Sequence, residues 1–269
     1  SRYYIQAEMQ LEGSGFQTIK PGIFSWNSYM DYISEEVQEG TKIGFDGRIF
    51  SIFDFRELTD KLKGRNVCFD TDCTLIDEMW TGRPPLPGSQ AFDHPIDSAG
   101  KGRADKISEV RRIMNQQGAN FHLLTSPDDI MWLLNIRGND LKYSPLLLSF
   151  ALVGNDQILL FADEAGIPFG IASAFDKLGI VILPYHEITE IISPVAEGHS
   201  VLLNPRTTSV SLFNSLSKAS GLLEGISIPA RLKAVKNKTE IENIGRVMVS
   251  DGVAVTRFFF WLENNLGRS

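Results

Sequence analysis

Residues 146–162 read LLLSFALVGNDQILLFA. Two apolar runs, 146–153 and 157–162, flank Gly154-Asn155-Asp156, so the stretch predicts two antiparallel strands joined by a hairpin turn. Downstream the pattern alternates: a helical IPFGIASAFDKLG, an extended IVILPY, a helical EITEIIS, an extended SVLLN and a helical SVSLFNSLSKA. Such alternation suits parallel crossover units. Upstream, ADKISEVRRIMNQQG carries Ile107, Val110 and Ile113 or Met114 on one helix face and stops at Gly118. A strand FHLLT follows, then a helix PDDIMWLLN, in which Pro127 suits the first turn and Asp128 and Asp129 complement the positive end of the helix dipole. A hairpin joined to parallel crossovers predicts a mixed sheet with covering helices over 101–230.

Residues 1–80 also alternate, with helical RYYIQAEMQL, SWNSYMDYISEEV and SIFDFRELTDKL separated by extended FQTIK, KIGFD and NVCFD. Ser25 and Ser51 stand where helix caps are needed, and Gly15, Gly40 and Gly64 mark helix or turn ends. The segment opens on a helix and supplies few strands, so a complete first sheet is not expected from it. Residues 81–100, with four prolines and three glycines, read as a semi-rigid linker between the two units. From Lys238 to Asn264 the periodicity becomes that of one long helix, with Thr239 as cap and Glu242 three residues on. Its wide apolar stripe asks for a packing partner, and the run Phe258 to Trp261 reads as core of a following domain rather than a ligand box.

Composition narrows the function. Twenty-six Lys and Arg stand against 33 Asp and Glu, a net charge of −7, which disfavours nucleic acid and anionic membranes as partners. No apolar run approaches the roughly 20 residues that span a bilayer, and the first residues lack a secretory pattern. Two cysteines, Cys68 and Cys73, fit a reducing cytoplasm, and a lone C-x4-C pair falls short of a zinc site. FRELTDKLKGR interleaves acids with bases and reads as a solvated helix face. Ser126 and His122 lack the glycines of a nucleophile elbow.

Three ordered segments carry a resemblance. DEMWTGRPPLP supplies Asp77, Trp80, Arg83, Pro84 and Pro87; TSPDDIMWLLNIRGNDLKYSP supplies Asp128, Trp132, Leu133, Asn135, Arg137, Gly138, Asp140, Tyr143 and Pro145; and IPARLKAVKNKTEIENIGRVMVSDGVAVTRFFFWLE closes the set. Together with the opening SRYYIQAEMQLEG they resemble the long-form Xaa-Pro aminopeptidases. Two departures are Gly82, where that family usually has an acid, and Met248-Val249, where it commonly has Ala-His. The resemblance implies an α/β chain of two creatinase/prolidase-type, ribonuclease H-like amino-terminal domains. The first occupies 1–80 and is incomplete, the linker 81–100 and the second domain 101–230. Residues 231–269 would begin a pita-bread catalytic domain.

The resemblance further implies a parent hydrolase that removes the residue before proline from peptides, using two divalent metals, manganese or zinc, as a cytoplasmic homodimer. Because the four histidines, His94, His122, His186 and His199, match none of the ligand motifs, neither catalytic nor metal residues are expected in this chain, and it should not cleave by itself. The loop Arg137, Asn139 and Asp140 is expected to face the substrate cleft, with Arg137 holding a carboxylate or carbonyl, or pairing with Asp140 instead. The expected role is to restrict peptide access, meet its own catalytic domain and support dimerisation. A competing reading is a creatinase-type binding or assembly module without peptidase activity, and a third is metal-free amidino-hydrolysis.

Overall fold

The computed structural model describes residues 3–18, 20 and 28–266. The cap expected at Ser25 lies outside them. Helix α1 (Tyr3–Leu11) buries no residue, and residues 16–18 of the expected strand FQTIK carry no regular structure. Helix α2 (Ser28–Glu36), strand β1 (Lys42–Gly44), helix α3 (Ile52–Lys61) and strand β2 (Cys68–Asp70) form the first unit. Its two strands pair in parallel, Lys42 opposite Cys68. Met30, Leu58 and Leu62 make a small core against Ile43 and Phe69, extended by Phe45, Phe50 and Phe55, whose rings lie 4.8 to 6.5 Å apart with Phe69. Ser51 caps α3 as expected, accepting from the Asp54 amide.

Helix α4 (Leu75–Met79) then carries a small polar cluster. Asp77 accepts from Arg48 at 2.5 Å and from Arg83, while the Arg83 guanidinium lies over the Trp80 ring at 5.4 Å. Asp77, Trp80 and Arg83 thus stabilise their own turn and fasten it to Asp46 through Arg48. The proline-rich stretch beyond is more structured than its composition predicts: it contains strand β3 (Phe92–Asp93) and helix α5 (Ile96–Ala99). Ala91 and Ala99 are buried.

The larger unit continues with helix α6 (Arg103–Gln116), strand β4 (Phe121–Leu124), helix α7 (Pro127–Leu134), strand β5 (Ile136–Arg137), strand β6 (Phe150–Gly154), strand β7 (Ile158–Ala162), helix α8 (Phe169–Asp176), strand β8 (Ile180–Pro184), helix α9 (Ile188–Val195), strand β9 (Ser200–Leu203), helix α10 (Val210–Ser215), strand β10 (Gly221–Glu224) and helix α11 (Ile228–Ala234). Six strands make one sheet in the order β10-β9-β4-β6-β7-β8. Only β6 runs against its neighbours, so the hairpin 150–162 is the antiparallel insertion in an otherwise parallel sheet. Strand β10 and helix α11 have no counterpart in the periodicity reading.

Alternation along the strands divides the core into two layers. Ala151 and Val153 face α6, α7, α8 and α11, whereas Leu152 between them faces α9 and α10. Ile52 of α3, 2% exposed, is part of this second layer, packed with Val201, Leu203 and Leu212. The first unit is therefore seated on the larger sheet by a buried side chain, backed by Ile52 N–H to Thr208 O and Phe53 N–H to Pro205 O, each 3.0 Å. Arg56 likewise crosses to Glu224, so the face expected to be merely solvated makes a contact between units.

Helix α12 (Lys238–Asn265) is 28 residues long, about 42 Å at the α-helical rise, and buries no side chain. Its cap is Asn237, two residues before the expected Thr239, and Glu240 completes the capping box. Asn237 is held there because its Nδ2 donates to Ala99 O at 2.8 Å. Gly100 (φ +66°) permits the approach, since a Cβ there would lie 2.3 Å from Asn237 Oδ1. Phe258, Phe259, Phe260 and Trp261 are exposed, with Phe258 packed on Phe259 and Trp261 of the same helix.

Candidate functional site

The loop after α7 is organised by Asn135. This buried residue ends the helix in the left-handed conformation (φ 48°, ψ 46°), which asparagine tolerates better than most residues. Its Oδ1 accepts from Lys106 Nζ at 2.7 Å, its Nδ2 donates to Lys101 O at 2.8 Å, and its carbonyl accepts from the His94 amide at 2.8 Å. One side chain and its own backbone thus tie α6, the turn before it and the residue after β3 to the root of the loop. Sequence periodicity gives no sign of this, but Lys106 lies four residues before Val110 on the buried stripe of α6, an anomalous place for a charge.

Strand β5 pairs antiparallel with β3, Phe92 opposite Arg137. The Arg137 guanidinium is half-buried and donates through Nη1 to Met131 O at 3.0 Å and Ile136 O at 2.8 Å. Both partners are neutral. No carboxylate pairs with Arg137 among the described residues, and burial lowers its pKa. The pairing with Asp140 that proximity in sequence suggests does not form. Asp140 instead accepts two backbone amides, Ser89 N–H at 2.8 Å and Leu148 N–H at 2.7 Å. Asn139 is exposed and its amide donates to Ser89 Oγ at 2.7 Å. Two of the three loop residues therefore fasten the proline-rich stretch at Ser89, a partner that sequence reasoning did not select. Gly138 allows the tight return, because a Cβ there would meet Leu147 Cβ at 3.0 Å and its Cα at 3.1 Å. At the tip, Tyr143 holds φ +70° and is 92% exposed.

The electrostatics around Asn135 are lopsided. Lys106 is 1% exposed, donates to Trp132 O at 2.9 Å and lies over the Trp132 ring at 4.3 Å. Burial lowers its pKa to about 8, opposed by Glu240 and assisted by Arg137 and Lys101. Burial, then Arg137 and Lys106, also lowers the pKa of His94, while Glu240 raises it. Glu240, in the first turn of α12, is thus a carboxylate to which both His94 and Lys106 respond.

His122 belongs to a different place. It is 0% exposed, its Nδ1 lies 3.0 Å from Leu202 O and its Nε2 accepts from the Ile228 amide at 3.1 Å. This geometry sets Nδ1 as the protonated nitrogen and pins the start of α11 to β4 and β9. Burial lowers its pKa to about 4. Both nitrogens are engaged, so His122 cannot act with Ser126. His199 packs edge-on against Phe121 at 5.5 Å. Among the described residues no group of three or more His, Cys, Asp or Glu is placed to hold a metal ion, and these side chains do not make up a two-metal ligand set. No described helix is long and apolar enough to cross a membrane.

Residues 82–240, enclosing both Asn135 and the loop it anchors, match the creatinase/prolidase N-terminal domain family. The chain belongs to that family. Among relatives of this creatinase/prolidase-type chain, a probable Xaa-Pro aminopeptidase P of Leptosphaeria maculans is 30% identical, covering 98% of this chain and 45% of the relative. Xaa-Pro aminopeptidase 1 of Dictyostelium discoideum is 31% identical, covering 98% and 43%. In three dimensions the chain is similar to the X-prolyl aminopeptidase of Caenorhabditis elegans, a cytosolic enzyme with a di-nuclear active site. The TM-score is 0.88 at 28% identity, over 99% of this chain and 44% of the other. The chain spans less than half the length of these relatives. Its mixed α/β fold and its resemblance to Xaa-Pro aminopeptidases are those expected from the three motif segments.

Proposed function

We propose that this chain is the amino-terminal, non-catalytic region of a Xaa-Pro metallo-aminopeptidase that removes the residue preceding proline. In this reading 1–80 and 101–230 are two creatinase-type domains, 231–269 begins the catalytic domain, and two divalent metals, manganese or zinc, are held by residues outside this chain. The region restricts which peptides reach that centre and supports a cytoplasmic homodimer. The observation that carries the proposal is Arg137: a half-buried guanidinium whose partners among the described residues are main-chain carbonyls, on a loop held rigid by Asn135 at its root and Asp140 at Ser89. Such a group is poised to take a peptide carboxylate or carbonyl without first giving up an ion pair. Its fixed root lowers the entropic cost of doing so.

Two measurements test this. The chain as it stands, with added manganese, is expected to leave Xaa-Pro tripeptides intact, and turnover abolished by chelation would overturn the reading. In a longer enzyme carrying this chain, Arg137→Gln is expected to raise KM for such tripeptides about tenfold while kcat stays within about twofold, the signature of lost ground-state binding. An unchanged KM would assign Arg137 to the fold alone.

A further inference from the structure

A cleft of about 410 Å³ lies where α6, α7, α11 and the start of α12 meet, within the roughly 300–1,000 Å³ range of small-ligand sites. Four cations line it, Lys101, Lys106, Arg231 and Lys236, against two carboxylates, Glu109 and Glu240. Both acids are already committed: Glu109 pairs with Lys101, and Glu240 accepts the Asn237 amide in the capping box at 2.8 Å. Among the described residues the other three cations form no direct ion pair, although the Glu240 charge still acts on Lys106. Among the described residues Lys106 donates to Trp132 O and Asn135 Oδ1 and lies over an indole face, with Glu240 as a more distant opposing charge. Lys236 donates to Lys233 O. Arg231 is exposed and no described side chain pairs with it. On a chain whose net charge is −7, this leaves a local excess of two positive charges around a concave space.

A buried, desolvated lysine with no direct ion pair is costly, and a doubly charged oxyanion in the cleft would offset that cost while engaging the two exposed cations directly. We infer that this cleft binds a phosphate group, either free phosphate or the monoester of a small organic molecule. The inference stands apart from the peptidase reading, because it uses neither Arg137 nor a metal.

Titration of the whole chain with inorganic phosphate at low ionic strength, followed by calorimetry and by the NMR signal of the Lys106 side chain, tests it. Saturable binding is expected, with the Lys106 titration midpoint, about 8 in the free protein, moving up on saturation. Arg231→Gln and Lys236→Gln, both at exposed positions, are each expected to weaken binding about tenfold. Lys218→Gln, at a solvent-exposed position elsewhere, is expected to leave it unchanged. Glu240→Gln keeps a residue able to complete the capping box but removes the opposing charge, so it should tighten binding. That gain is not expected of a purely structural role. A small phosphomonoester that binds more tightly than phosphate identifies an organic ligand, and equal affinity identifies phosphate itself. Absence of saturable binding, or binding indifferent to Arg231, Lys236 and Glu240, would overturn the inference.

Discussion

Arg56 in α3 and Glu224 at the end of β10 form a two-point ion pair, Nη1 to Oε2 at 2.7 Å and Nη2 to Oε1 at 2.6 Å. The guanidinium also lies over the Phe213 ring at 5.5 Å. Both side chains are partly exposed, so screening by water limits the pair to about 1 kcal/mol. A double-mutant cycle of Arg56→Ala and Glu224→Ala, read by chemical denaturation, is expected to return a coupling of roughly that size that shrinks in high salt. Zero coupling at low salt would reduce the pair to an incidental contact.

Ile52 carries more of the same junction. Its side chain is buried in the α9/α10 layer rather than in the small core of the first unit. Ile52→Ala is expected to destabilise the chain by about 2–4 kcal/mol. It should also increase hydrogen exchange at the Ile52 and Phe53 amides, which bond to Thr208 and Pro205. Loss of stability without faster exchange there would separate the side chain from the junction.

Asp140 closes two otherwise unpaired amides at Ser89 and Leu148. Asp140→Ala is expected to cost roughly 1–3 kcal/mol and to make residues 86–91 a new point of proteolytic cutting. Unchanged proteolysis would mean that Ala91, whose amide reaches Gly166 O at 2.7 Å, holds the stretch unaided.

His122 makes stability pH-dependent in a defined direction. Folded, it takes a proton only near pH 4, whereas an unfolded imidazole does so near 6.5. Between those values the unfolded chain binds more protons, so stability is complete above about pH 6.5 and falls as pH drops toward 4, by roughly 3 kcal/mol in all. Denaturation curves at pH 7, 6 and 5 are expected to show the loss, with a flatter profile in His122→Gln. Identical slopes in the two proteins would remove His122 from the account.

Much of the fold was legible because periodicity reports burial. The apolar runs around Gly154-Asn155-Asp156 became β6 and β7, and Ile107, Val110 and Met114 became the buried stripe of α6. What escaped was decided by contacts distant in sequence. Strand β10 is four residues long and gains its place only by pairing with β9. Strand β3 exists because β5 lies beside it. Asn237 and Thr239 both begin an acceptable x-x-Glu cap, and the bond from Asn237 to Ala99 selects between them. Similarly, Arg137, Asn139 and Asp140 stood out as a polar loop and Asn135 as part of the motif before it, but Ser89 and Lys106, which help position that loop, lie in a proline-rich stretch and a helix.

The position of β4 in the sheet has a consequence for how the chain is made. Its partner on one side, β6, is supplied by the next thirty or so residues, but its partner on the other, β9, begins only at Ser200. During synthesis from the amino terminus, the Phe121–Leu124 edge therefore stays open until some eighty further residues have emerged. An open hydrogen-bonding edge is a template for wrong pairing. That interval, rather than any weakness of the finished sheet, is when a nascent chain of this topology is most in need of a chaperone.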